Sequence, residues 1–170
     1  MMRHVIWIAV AWFTSVLFTA LAHVFHIAHL VPDAAVIIAV FLAFEREAPA
    51  LVASCVAIGA LIGRQALAPT GLHEWSLATV ALSIHLVAGN IAGSGRLFFA
   101  TSVAGATIAY QMTMFCLLWL VRGEAGFPNW TTAVLLPNAM LNALVGWLVH
   151  PVLLAVERRL SSEHRESLSF

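Results

Sequence analysis

Charge is what this chain lacks most. Only 9% of its 170 residues are Asp, Glu, Lys or Arg, against about 25% in a typical soluble domain. Lysine is missing altogether, so all eight basic residues are arginines. Hydrophobic residues make up 62% of the chain. No soluble fold of this size could hide that much apolar surface, because small domains keep a large surface-to-volume ratio. The solvent must be lipid. Cysteine is almost as scarce. Cys55 and Cys116 both lie inside apolar runs and read as small packing residues, so they say nothing about redox compartment.

The common chemical signatures are missing too. There is no Gly-rich phosphate loop, no paired carboxylates, no His/Cys ligand spacing and no basic run to hold nucleic acid. No carboxylate lies within an apolar run, so the ionisable pair that an ion pump needs at membrane depth is not expected. His23, His26 and His29 would fan over about 120° of a helix and read as residues of the lipid–water boundary. The expectation is a protein without cofactor or metal that acts by contact or by enclosing a small ligand, not an enzyme. Asp33, His73 and Glu74 form the one cluster where an enzyme's residues would be sought.

The charges that remain punctuate the apolar runs. Spans are expected at about 5–25, 33–44, 48–63, 75–93, 97–121 and 131–156, followed by a short polar tail, 157–170. The first run exceeds the roughly 7–15 residues of a signal-peptide core. Spans 2 and 3 are short for a hydrocarbon slab about 30 Å thick, and they cross fully or re-enter. Pro32 suits a helix start, and Asp33 faces the positive end of the helix dipole as a cap. Gly59/Gly63 and Gly89/Gly93 have the spacing that lets helices approach closely in lipid. Asn138 and Asn142 share a helix face and are suited to interhelical hydrogen bonds. With six crossings and both termini in the cytoplasm, Arg3, Arg46, Arg96, Arg158, Arg159 and Arg165 lie inside and Arg64 and Arg122 outside, in keeping with the positive-inside rule.

Several of these features, in this order, resemble the bacterial rod shape-determining membrane protein MreD family. They are the opening arginine with a Trp/Phe-rich first span, Val31-Pro32-Asp33 with its aliphatic run, and the charged turn at 45–47. Gly59 follows, then Pro69-Thr70-Gly71-Leu72-His73. Late in the chain, Leu136-Pro137-Asn138-Ala139-Met140-Leu141-Asn142 precedes Glu157-Arg158-Arg159. The family usually carries an aspartate four residues after the glycine of span 3, where this chain has Gly63.

The resemblance implies a non-catalytic scaffold in the cytoplasmic membrane that partners an MreC-like protein. Through it, the scaffold would act with the RodA glycosyltransferase, its transpeptidase and the MreB-like cytoskeleton in side-wall peptidoglycan synthesis. It also implies a six-helix fold similar to the substrate-binding subunits of energy-coupling-factor transporters. That likeness leaves a rival, a vitamin-type ligand-binding subunit using Asn90, Gln111, Asn138 and Asn142. For the scaffold, the expected packing or partner surface comprises Pro32, Asp33, Gly59, Gly63, Gly71, Leu72, His73, Gly89, Gly93, Asn138 and Asn142.

Overall fold

A computed structural model describes residues 2–24, 31–66, 69–88, 95–122 and 130–166. All regular structure there is helical: α1 (Met2–Val24), α2 (Ala34–Glu45), α3 (Ala48–Gln65), α4 (Leu72–Ala88), α5 (Arg96–Arg122) and α6 (Trp130–Glu166). Four of these, α1, α3, α5 and α6, are long and apolar enough to cross a bilayer. Large apolar side chains such as Phe13, Trp75, Leu97, Leu120 and Met140 face outward, an arrangement tolerable only against lipid tails. The chain is an all-helical membrane protein.

Local chemistry sets the helix ends. Asp33 caps α2, its carboxylate accepting the Val36 N–H at 3.2 Å. Pro32 therefore stands one residue before the cap and not in the first turn, as its sequence position had implied. In α3 the proline comes at the start, Pro49, where no intrahelical N–H is needed. Gly71 adopts a left-handed φ of +92°, a conformation glycine reaches without steric cost, and turns the chain into α4.

Helix α2 organises the bundle. Its ten residues Ala34 to Ala43 are all buried, so no face of it meets lipid. Among the described residues it packs against each of the other five helices, while α1, α3, α4, α5 and α6 follow one another around it. Trp7, Phe41 and Phe99 meet at its C-terminal half, the first pair tilted and the second edge to face, with ring centroids 5.0 and 6.5 Å apart in turn. At 12 residues it is about 18 Å long, well short of the hydrocarbon thickness. Its N-terminus therefore lies deep in the bundle. A helix that ends inside a lipid-embedded bundle is possible only where protein surrounds its exposed backbone.

Two helix ends lie beyond the expected span ends. The polar tail from residue 157 is helical as far as Glu166, because α6 runs on past the apolar stretch. Helix α4 begins at Leu72, three residues before the expected start of span 4 at Trp75, so His73 and Glu74 belong to its first turn. One side-chain oxygen of Glu74 is buried there.

Candidate functional site

The polar side chains of the interior gather at the two ends of α2. At the C-terminal end, Glu157 of α6 is only 5% exposed. Its carboxylate accepts from Trp7 Nε1 at 2.9 Å and from Arg46 Nη2 at 3.1 Å, and it also pairs with Arg3. Three distant parts of the chain meet on this one group: the start of α1, the turn after α2 and the far part of α6. Arg46 is itself 92% buried, its side chain being 8% exposed. Burial and the nearby Arg3 push its guanidinium below the usual arginine value, but arginine remains charged. Alongside, His85 of α4 donates from Nδ1 to the carbonyl of Ala43 at 2.8 Å, satisfying one of the last-turn carbonyls of α2 that no helical N–H can reach.

At the N-terminal end the link from α6 is uncharged. The backbone N–H of Asp33 donates to Asn142 Oδ1 at 2.8 Å. Asn142, fully buried, passes the chain on by donating to Thr107 Oγ1 of α5 at 3.0 Å. Thr107 in turn donates to the Val103 carbonyl at 2.9 Å. Asn142 and Glu157 belong to the same helix, 15 positions apart, so α6 holds α2 at both ends.

Asp33, His73 and Glu74 do come together, around Tyr110. His73 Nδ1 and the Tyr110 hydroxyl share a 2.5 Å hydrogen bond, and both carboxylates lie within electrostatic range of that hydroxyl. No three-residue metal-ligand cluster stands among the described residues.

The glycines settle differently. A Cβ on Gly59 would lie 2.6 Å from the Cα of Glu74, so Gly59 is the point where α3 and α4 touch backbone to backbone. It serves internal packing and is closed to a partner. A Cβ on Gly63 would meet the His73 ring at 3.5 Å and Glu74 Oε2 at 3.9 Å. The space where an aspartate is usual in the resembling family is thus bordered by a carboxylate reaching over from α4. Leu72 is buried beside this seam, and Gly71 shapes the turn before it. Gly89, Asn90 and Gly93 lie outside the described residues, as do His26 and His29.

Two candidates behave unlike each other despite sharing a face. Asn142 is an interhelical link, as its spacing implied. Asn138 borders a cavity of about 270 Å³ with Ser15, Thr19, Asp33 and Gln65, and its Oδ1 is buried without a hydrogen-bond partner among the described residues.

Sequence reasoning missed Glu157, Arg46 and His85 as a set. It placed Arg3, Arg46 and Glu157 on one side of the membrane without pairing them. The available signal was the lack of any helix breaker between Val156 and Ser161, which lets the helix carry Glu157 back under the bundle.

The fold and site define an all-helical membrane protein built around an enclosed, doubly anchored short helix. No family model matches the sequence, and no curated protein or solved structure matches it significantly.

Proposed function

We propose that the protein is an MreD-like scaffold of the bacterial cytoplasmic membrane that binds an MreC-like partner and acts through it on side-wall peptidoglycan synthesis. In this reading the chain crosses six times, α2 forming part of the second crossing. Both termini are cytoplasmic, which puts six arginines inside and two outside. The protein performs no chemistry of its own.

One observation carries the reading. Between α4 and α5 runs an open, lipid-facing groove of about 390 Å³, floored by Thr101, Gly105, Ala109 and Thr113 and walled by Thr79, Ser83 and Val87. The four floor residues recur every fourth position. A Cβ on Gly105 would meet nothing within 4 Å, so this glycine is not needed by the fold. Small residues in such a stripe let a second helix approach closely in lipid, where association rests on packing. The groove suits the single membrane helix of a partner.

The test is co-purification from the native membrane with Gly105→Leu. The variant is expected to insert and fold normally and to lose most of the MreC-like partner; undiminished recovery would remove this groove from the interface. A vitamin-type transporter subunit is the second reading, favoured by the cavity at Asp33 and Asn138. It expects transport ATPases and a coupling subunit in the same eluate.

A further inference from the structure

The cavity at the N-terminal end of α2 has a composition that the scaffold reading does not use. Its polar wall comes from four elements: Ser15 and Thr19 of α1, Asp33 before α2, Gln65 of α3 and Asn138 of α6. Among the described residues no basic side chain lines it. It contains one carboxylate, that of Asp33. Two of its acceptors, Ser15 Oγ and Asn138 Oδ1, are buried with no hydrogen-bond partner among the described residues. Acceptors left unmatched in a low-dielectric interior cost free energy.

The position is equally informative. Among the described residues, α1 and α6 are joined at the far end by Arg3 and Trp7 on Glu157, whereas at this end the cavity lies between them. Arg64, exposed in the last turn of α3, immediately precedes the lining residue Gln65.

We propose that this cavity binds a primary ammonium group, as carried by the headgroup of phosphatidylethanolamine or by a free ethanolamine. An –NH₃⁺ offers three donors and no acceptor, matching the Asp33 carboxylate, Asn138 Oδ1 and Ser15 Oγ. Its charge answers a carboxylate that has no basic partner in the cavity. A quaternary ammonium has the charge without the donors and leaves the two orphan acceptors unmatched. For the lipid, Arg64 stands where a phosphate outside the cavity could be met.

The experiment uses the full-length protein in nanodiscs containing equal parts phosphatidylethanolamine, phosphatidylcholine and phosphatidylglycerol, with retained lipid identified by native mass spectrometry. Wild type should keep one phosphatidylethanolamine per chain in clear preference to the other two. Asp33→Asn preserves the cap, since Asn also caps helices well, and should lower that preference about tenfold through loss of a charge-assisted hydrogen bond. Asn138→Leu, which leaves the cap untouched, should lower it less. A second arm measures thermal unfolding in delipidated detergent with ethanolamine and with choline. Stabilisation by ethanolamine alone, together with no lipid preference, would assign the site to the free amine. Equal retention of all three lipids with no ethanolamine effect would overturn the proposal. So would a preference for phosphatidylethanolamine that survives both substitutions.

Discussion

The two ends of α2 are held by one helix in opposite chemical ways. At the C-terminal end, α6 offers a carboxylate to two guanidinium groups and an indole N–H. At the N-terminal end it offers an amide to a backbone N–H and a hydroxyl. The charged anchor is expensive to build, because each ion must leave water before the attraction can offset its desolvation. It is correspondingly sensitive to losing one member. The neutral anchor costs little to desolvate, and its bonds resemble those that join membrane helices generally. The difference follows depth. The charged group forms where the helices end and water is near for the outer face of Arg3, whose side chain is 31% exposed. The amide forms about 22 Å further along α6, where its two bonds go to a backbone N–H and a hydroxyl of the bundle itself.

Breaking the charged anchor should have the largest effect. Glu157→Ala leaves Arg46 buried opposite Arg3 with only the neighbouring Glu45 to offset its charge, and losing one partner of a buried pair typically costs about 3–5 kcal/mol. Cys55, buried in α3, supplies the measurement once the exposed Cys116 is replaced by serine: its maleimide labelling during denaturant titration reports unfolding. An E157A midpoint close to wild type would mean that Arg3 and Arg46 are held by something other than Glu157. At the neutral end, Asn142→Ala strands the Asp33 N–H and removes the donor to Thr107, with an expected loss of about 1–2 kcal/mol by the same assay. If N142A cost as much as E157A, depth would not explain the contrast.

His85→Phe sharpens the comparison from the side of α4. It keeps the ring and removes the donor to Ala43, leaving one buried carbonyl of the last turn unmatched, for about 1 kcal/mol. Hydrogen exchange should quicken at the amides of the last turn of α2 before anywhere else. Unchanged exchange there would show that the last turn does not depend on this bond.

Much of this frame was legible in the sequence. Pro32-Asp33 and the triplet 45–47 bracketed α2 and α3 to within two residues, because a cap, a proline and a run of charge interrupt an apolar stretch unambiguously. Asn142 was readable as an interhelical link, since an amide buried in lipid must bond to something. The partners were not readable. Glu157 sits 111 positions from Arg46, and its role depends on α6 continuing beyond its apolar part and turning one carboxylate inward. Gly59 and Gly105 illustrate the same limit. Both are glycines in apolar helices, yet one is pressed against the backbone of α4 and the other faces open space, a distinction that resides in packing and not in spacing. Asn138 and Asn142 likewise share a face but sit at different depths, one on a cavity wall and one inside the core.

The smallest expected effect tests whether the neutral anchor acts as a chain or as separate bonds. Thr107→Val keeps the shape and removes the oxygen that accepts from Asn142 Nδ2, while the Asn142–Asp33 bond stays intact. In bilayers such single interhelical bonds average about 0.6 kcal/mol, so T107V alone should shift the unfolding midpoint only slightly. The informative variant is the double one. Once Asn142 is alanine, Thr107 has no interhelical partner to lose, and T107V in that background should cost close to nothing. The coupling between the two positions would then equal the full T107V effect, and the anchor would be a linear chain running from α2 through α6 to α5. Full additivity would instead mean that the Thr107 hydroxyl matters only for its bond to Val103 within α5. Helix α2 would then be held at this end by the Asp33 N–H alone, and the contrast with the three-donor anchor at the other end would be sharper still.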